Sequence, residues 1–201
     1  MLNYLALGDS ITYGQNASSS SRAYPSRVTA MLRLKGIQAK LRVLAQPSWT
    51  SSDLAEEIYT DPSLLSSANV ITVWIGGNDL IQGMMNRFKR RLDMILGMAR
   101  IMGVKHIVCC TQYNPFPNSA IAVNTIGSMN QVIIASATTN RCLVAQVDRW
   151  VSGNEHRLID GYKGGHAEDA LRGFAPVHPN DQGHELIATR LFSSIYPLIR
   201  R

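Results

Sequence analysis

Cysteine is scarce in this chain. The three present, two of them adjacent (Cys109 and Cys110), fit neither a disulfide framework nor a metal-ligand spacing. The adjacent pair falls in the apolar run Ile107-Val108-Cys109-Cys110, where small buried hydrophobes are expected. Charge is sparse as well: 17% of the residues are Asp, Glu, Lys or Arg. The balance is still basic, a formal +6 from 20 Lys and Arg against 14 Asp and Glu. Only Arg87, Lys89, Arg90 and Arg91 cluster, with no recognition motif beside them, so they read as a solvated helix face and no nucleic-acid partner is expected. No glycine-rich phosphate loop of the G-x-G-x-x-G or Walker kind occurs, which argues against a nucleotide or flavin binder. No apolar run approaches membrane-span length, so no integral membrane segment is expected. No basic-then-apolar leader precedes the first strand either. The chain therefore reads as soluble and intracellular, although a mature form whose leader had been removed would read the same.

What is present is an ordinary globular composition, 45% hydrophobic over 201 residues, enough for one domain with a full core. Apolar runs over residues 4–7, 37–45, 70–75, 104–111 and 142–147 predict five strands, the third being the richest in β-branched residues. Between them, residues at spacings of three and four predict helices. One carries Val28, Met31, Leu32 and Leu34 and stops near Gly36. A short one is capped by Ser51 or Ser52, a long one runs from Met84 to Met102, and another spans residues 121–140. The last starts at Asn180 or Asp181, runs to about Pro197, and buries Ile187, Leu191, Ile195 and Leu198. Five strand–helix alternations without a composition break specify a single α/β domain over residues 1–201, with a parallel sheet covered on both faces.

In such a sheet the carboxyl ends of all strands lie on one edge, so loops far apart in sequence converge there. Ser10 follows the first strand in Tyr4-Leu5-Ala6-Leu7-Gly8-Asp9-Ser10, Ser48 follows the second, and Asn78 follows the third in Gly76-Gly77-Asn78-Asp79. His178-Pro179-Asn180-Asp181, just before the last helix, can return to that edge. A serine needs a base to act as a nucleophile at neutral pH, and histidine titrates in the right range. Acyl transfer also needs donors for the developing oxyanion, which backbone amides and an asparagine amide supply.

With those residues in view, the chain resembles the SGNH (GDSL-type) hydrolases, a family of esterases, lipases and carbohydrate deacetylases. The resemblance implies a flavodoxin-like three-layer α/β/α sandwich with a five-stranded parallel sheet. Gly8-Asp9-Ser10 with Gly14 matches the first block and implies Ser10 as nucleophile. Gly76-Gly77-Asn78-Asp79 matches the third and implies an oxyanion donor in the Asn78 side chain. His178-Pro179-Asn180, followed by Gly183-His184, matches the last and implies His178 as the base. The oxyanion would then rest on the Ser10 and Ser48 amides and Asn78. A small-molecule ester is the implied substrate, with no metal or cofactor; His166 with Glu168 and Asp169 has no established ligand spacing. Trp49, Tyr13, Met84, Met85 and Phe116 are candidates to line an acyl pocket.

The chain departs from the family pattern twice. Ser48 stands where an oxyanion glycine is usual, a mild change unless a positive φ is required there. Ala175 stands three residues before His178, where the family places the aspartate that orients the imidazole. Three readings follow: another acceptor does that work (a backbone carbonyl or one of Asp160, Glu168 and Asp169), the pair runs as a dyad, or this copy is inactive or altered and binds an acylated or carbohydrate ligand.

Overall fold

Each apolar run finds its place in a sheet whose central strands are covered on both faces. The computed structural model describes residues 1–166, 168 and 176–200. Among them five strands, β1 (Leu2–Gly8), β2 (Ala39–Ala45), β3 (Val70–Trp74), β4 (His106–Cys110) and β5 (Leu143–Ala145), form one sheet in the order β2-β1-β3-β4-β5. Every pairing is parallel. This is the flavodoxin-like strand order, with its switch point between β1 and β3. Gly8 sits in register with Ala45 on one side and Trp74 on the other, so three loops leave the central strands at one height.

The helices, in chain order, are α1 (Ser10–Tyr13), α2 (Tyr24–Leu34), α3 (Ser51–Thr60), α4 (Ser63–Ser66), α5 (Gly77–Ile81), α6 (Met85–Ile101), α7 (Ala120–Thr139), α8 (Val147–Val151), α9 (Glu155–Leu158) and α10 (Asp181–Ile199). Side chains alternate across a strand, and on β1 that alternation feeds two cores. Tyr4 and Ala6 join Val28 and Leu32 of α2 and Ile187, Leu191 and Ile195 of α10. Leu5 and Leu7 join Leu54 and Ile58 of α3, Phe88 and Leu92 of α6, and Met129 and Ile133 of α7. Each fully buried aliphatic side chain of this kind is worth about 1.5–3 kcal/mol relative to exposure. The result is the expected three-layer α/β/α sandwich.

Several local expectations need correction. Leu34, read as a core residue of α2, is 85% exposed, because the helix ends there and its apolar stripe has already turned away from the sheet. Thr50, not Ser51 or Ser52, caps α3: its hydroxyl accepts from the Ser52 amide at 3.2 Å while the Asp53 carboxylate accepts from the Thr50 amide at 2.7 Å. Ser51 is diverted to another partner, described below. The fifth strand is only Leu143–Ala145, since Val147 already opens α8. The helix expected from Met84 is preceded by a separate turn, α5, and Gly83 at φ +69° parts the two.

A further correction concerns membrane-span length. Among the described residues, α7 is long and apolar enough to cross a bilayer by length and composition. Polar residues such as Asn124, Ser128 and Asn130 interrupt it, which is why no continuous apolar run marks it in the sequence. Here α7 packs on β4, β5 and α6, with Ile126, Met129, Ile133 and Ala137 buried.

Candidate active site

Gly8 ends β1 because nothing larger fits: a Cβ there would run into Thr12 Oγ1 and the Trp74 carbonyl of the neighbouring strand. The chain then turns at once into α1. The Asp9 carboxylate accepts from the Ile11 amide at 3.1 Å and caps that turn, and Gly14 closes it at φ +98°. This presents Ser10 at the carboxyl edge of the sheet, where its Oγ lies 2.9 Å from His178 Nε2 across 168 positions of sequence.

The second and third loops are tied to each other. Asn78 donates one side-chain N–H to the Trp49 carbonyl at 2.8 Å, leaving its second N–H uncommitted by that bond. The adjacent Asp79 is fully buried and accepts from the Ser51 amide at 2.8 Å and the Ser51 hydroxyl at 2.5 Å. Asp79 therefore braces the loop, and Ser51 is its partner. Ser48 adopts φ +69°, so the usual glycine's positive φ is needed here after all and the serine meets it with strain.

His178 arrives on a short antiparallel pairing. Ile159 bridges Pro179, the Asp160 amide donates to the His178 carbonyl at 2.9 Å, and the Asn180 amide donates to the Leu158 carbonyl at 2.9 Å. The Tyr113 hydroxyl donates to the Val177 carbonyl from the loop after β4. Asn180 then caps α10, accepting from Gln182 and Gly183 amides, both at 3.0 Å. The Asp181 carboxylate holds Ser18 through its amide at 2.9 Å and its hydroxyl at 2.6 Å, tying this segment to the loop that follows Ser10.

These loops surround a cavity of about 330 Å³ into which Ser10, Ser48, Asn78 and His178 all open. Its walls are apolar: Ile11, Leu80, Ile81, Phe116, Ile126 and Met129 among others. Of the residues singled out in the sequence as acyl-pocket candidates, only Phe116 lines it; Trp49, Tyr13, Met84 and Met85 do not. Leu80, Ile81 and Ile126 carry no motif and were legible only as helix apolars. Gln112 and Tyr113 were missed too. Gln112 accepts from Trp74 Nε1 at 3.1 Å and donates to the Ile75 carbonyl at 3.0 Å. Its backbone exchanges two 2.8 Å hydrogen bonds with the Asn130 amide. The one available signal was a polar residue directly after a buried strand.

Burial lowers the His178 pKa from its ordinary value, and the nearby Asp160 carboxylate partly opposes this. The ring is thus held neutral at neutral pH, able to accept a proton at Nε2. Among the described residues, none makes a hydrogen bond to His178 Nδ1. Ala175 and Asp169 lie outside the described residues. His184 is structural: its Nδ1 accepts from the Tyr24 amide at 3.3 Å, and burial drives its pKa down to about 4. Asp9, 3% exposed, is pushed up to about 7 by burial, with a further rise from the neighbouring Asp79 charge. Among the described residues, no group of three or more His, Cys, Asp or Glu is placed to hold a metal ion.

A serine hydroxyl 2.9 Å from an imidazole nitrogen, at the mouth of an apolar cavity, is the arrangement that a nucleophile and its general base require. The sequence profile of the GDSL-like lipase/acylhydrolase family matches residues 6–186, and the chain belongs to that family. Solved structures share the fold. The lipase Lip_vut3 from a goat rumen metagenome has a TM-score of 0.78 at 21% identity, covering 96% of this chain and 97% of that one. TesA has a TM-score of 0.75 at 18% identity, covering 98% and 99%. Axe2, an acetylxylan esterase from Geobacillus stearothermophilus, has a TM-score of 0.76 at 17% identity, covering 96% and 94%. No sequence match is found among curated proteins.

Two outcomes test this description of the site. Ser48→Gly should relieve the strained φ and stabilise the fold by about 1 kcal/mol, read as a higher urea midpoint at unchanged slope. Asp9→Asn tests the buried carboxyl. From its ordinary 3.8 up to about 7, the folded state binds the extra proton, so Asp9 lowers stability progressively as pH rises through that window. The loss is complete above it and amounts to at most about 4 kcal/mol. Asp9→Asn should therefore raise Tm at pH 8 and leave it nearly unchanged at pH 3.5.

Proposed function

We propose that this chain is a metal-independent carboxylic ester hydrolase that works through an acyl-enzyme on Ser10. The observation that carries the reading is the 2.9 Å contact between Ser10 Oγ and His178 Nε2 at the mouth of the apolar cavity. Ser10 Oγ attacks the ester carbonyl carbon as its proton passes to His178 Nε2. The carbonyl oxygen becomes an oxyanion facing the Ser10 and Ser48 amides and the uncommitted N–H of Asn78. Collapse of that intermediate breaks the bond to the alcohol oxygen, which leaves with the proton from His178. Water then repeats the sequence on the acyl-serine, giving up its proton to His178 and releasing the carboxylic acid.

The bond from Asn78 to Trp49 supports an oxyanion role, because it fixes the amide plane before substrate arrives. The apolar walls support an aliphatic acyl group as the part of the substrate that is enclosed. The lipase and acetylxylan esterase among the similar structures are consistent with ester cleavage in general. The choice between a long and a very short acyl group comes from the cavity alone.

Stoichiometric labelling of Ser10 by an organophosphonate separates a working nucleophile from a binding-only protein. Ser10→Ala should abolish both labelling and hydrolysis while Tm stays within about 2 °C, since the hydroxyl supports little packing. Substantial residual turnover in that variant would overturn the assignment.

The acyl pocket is tested by a series of straight-chain p-nitrophenyl esters. Each methylene buried is worth about 0.8 kcal/mol, so kcat/KM should rise up to about fourfold per carbon beyond acetyl until the cavity is full. A series that falls from acetyl onward would remove the cavity from acyl binding.

A further inference from the structure

His178 lacks the family's aspartate three positions upstream, yet its ring is aimed at Ser10. The segment that pairs with His178 carries a carboxylate, Asp160. The bridge between Ile159 and Pro179, flanked by the 2.9 Å bonds Asp160 N to His178 O and Asn180 N to Leu158 O, sets the register of a two-stranded antiparallel ribbon. Ile159 and Pro179 both turn to the buried face. Their neighbours Asp160 and His178 stand opposite each other and turn to the other face, where directly opposed residues have Cβ atoms about 4.5–5.5 Å apart.

Both side chains meet the same loop. His178 reaches Ser10, and Asp160 Oδ2 accepts from Asn16 Nδ2 at 2.9 Å, six residues further on. That bond occupies Oδ2 and orients the group, and with no direct hydrogen bond to His178 the carboxylate acts on the imidazole through its charge. We propose that Asp160 is the positioning residue of this site: across the ribbon, the charge of its carboxylate favours the His178 tautomer with the proton on Nδ1 and the imidazolium that follows, standing in for the aspartate that Ala175 replaces. The inference rests on the Ser10–His178 reading of the site and extends it.

Among the described residues, two other titratable groups near His178 are already committed elsewhere. Asp181 is engaged with Ser18 and with Arg22 at 3.5 Å. His184 is bound on both ring nitrogens, to the Tyr24 amide at 3.3 Å and near the Gln15 carbonyl at 3.4 Å. The charge of Asp160 also acts on the imidazole in the sense required, favouring its protonated form against burial.

Asp160→Asn keeps the shape and can still accept from Asn16, but it removes the charge. Its kcat on an activated ester should fall roughly 10- to 1,000-fold with KM within about twofold; loss of a directly bonded triad aspartate, about 10⁴, is the ceiling. The acid limb of kcat/KM should move to lower pH, because the group that stabilises the imidazolium is gone. Asp160→Glu should recover part of kcat. Ala175→Asp should change the parent's kcat less than about threefold but restore most of what Asp160→Asn loses.

An Asp160→Asn enzyme with kcat within twofold and an unmoved limb, beside inactive Ser10→Ala and His178→Ala, overturns the inference alone. So does a tenfold or greater gain from Ala175→Asp in the parent. If the parent hydrolyses no ester and Ser10 takes no label, the proposed function falls instead. The pairing is then decided by the NMR titration of the His178 Cε1 proton, which must shift to lower pH in Asp160→Asn for the inference to stand.

Discussion

The central strands β1, β3 and β4 are covered on both faces, and the rest of the molecule follows from that constraint. β1 is hydrogen-bonded to β2 on one side and β3 on the other, and its side chains alternate into two separate apolar cores. No polar side chain of these central strands can reach solvent through the helices. The carboxyl edge is the one place where central strands can present chemistry, and the in-register ends at Gly8, Ala45 and Trp74 place three loops there side by side. A ligand at that edge meets backbone amides and loop side chains from segments that lie far apart in the chain.

Polar groups brought to such an edge are costly unless each has a partner. Most of the hydrogen bonds around the cavity meet that demand, and in doing so they fix geometry. Asp79 with Ser51, Asn78 with Trp49, and Gln112 with Ile75 and Trp74 are bonds between loops rather than within one. Asp181 with Ser18 and Asn16 with Asp160 do the same for the segment that carries His178. The exception is Asp9, whose side-chain bond from the Ile11 amide does not offset its burial, which pushes its pKa up to about 7.

Much of this was open to a reader of the sequence. The five alternations, the buried strand 70–75 and the turn at Gly8-Asp9-Ser10 follow from periodicity and turn chemistry, and the blocks around Ser10, Asn78 and His178 indicated the family. The boundaries were less legible. Thr50 takes the cap because Ser51 is drawn to Asp79, 28 residues away, a competition that local propensity does not contain. α7 evades an apolar-run criterion because its polar residues are spaced along the helix. At Ser48 the sequence shows a serine in place of a glycine, but only the folded backbone shows that the position demands φ +69°.

The sequence by itself determined the class of fold and that Ser10, Asn78 and His178 lie at one edge of the sheet, because strand burial, turn residues and block order are local properties of the chain. Tertiary structure alone decided which groups face one another. The apolar side chains that line the cavity come from α1 (Ile11), α5 (Leu80, Ile81), the loop after β4 (Phe116) and α7 (Ile126, Met129), and their apolarity is indistinguishable from packing until they are placed. The carboxylate opposite His178 is selected by the register of a two-residue ribbon between Leu158 and Asn180. Register is a relation between distant segments, set by the burial of Ile159 and Pro179 together, and no local pattern around Ala175 or Asp160 encodes it.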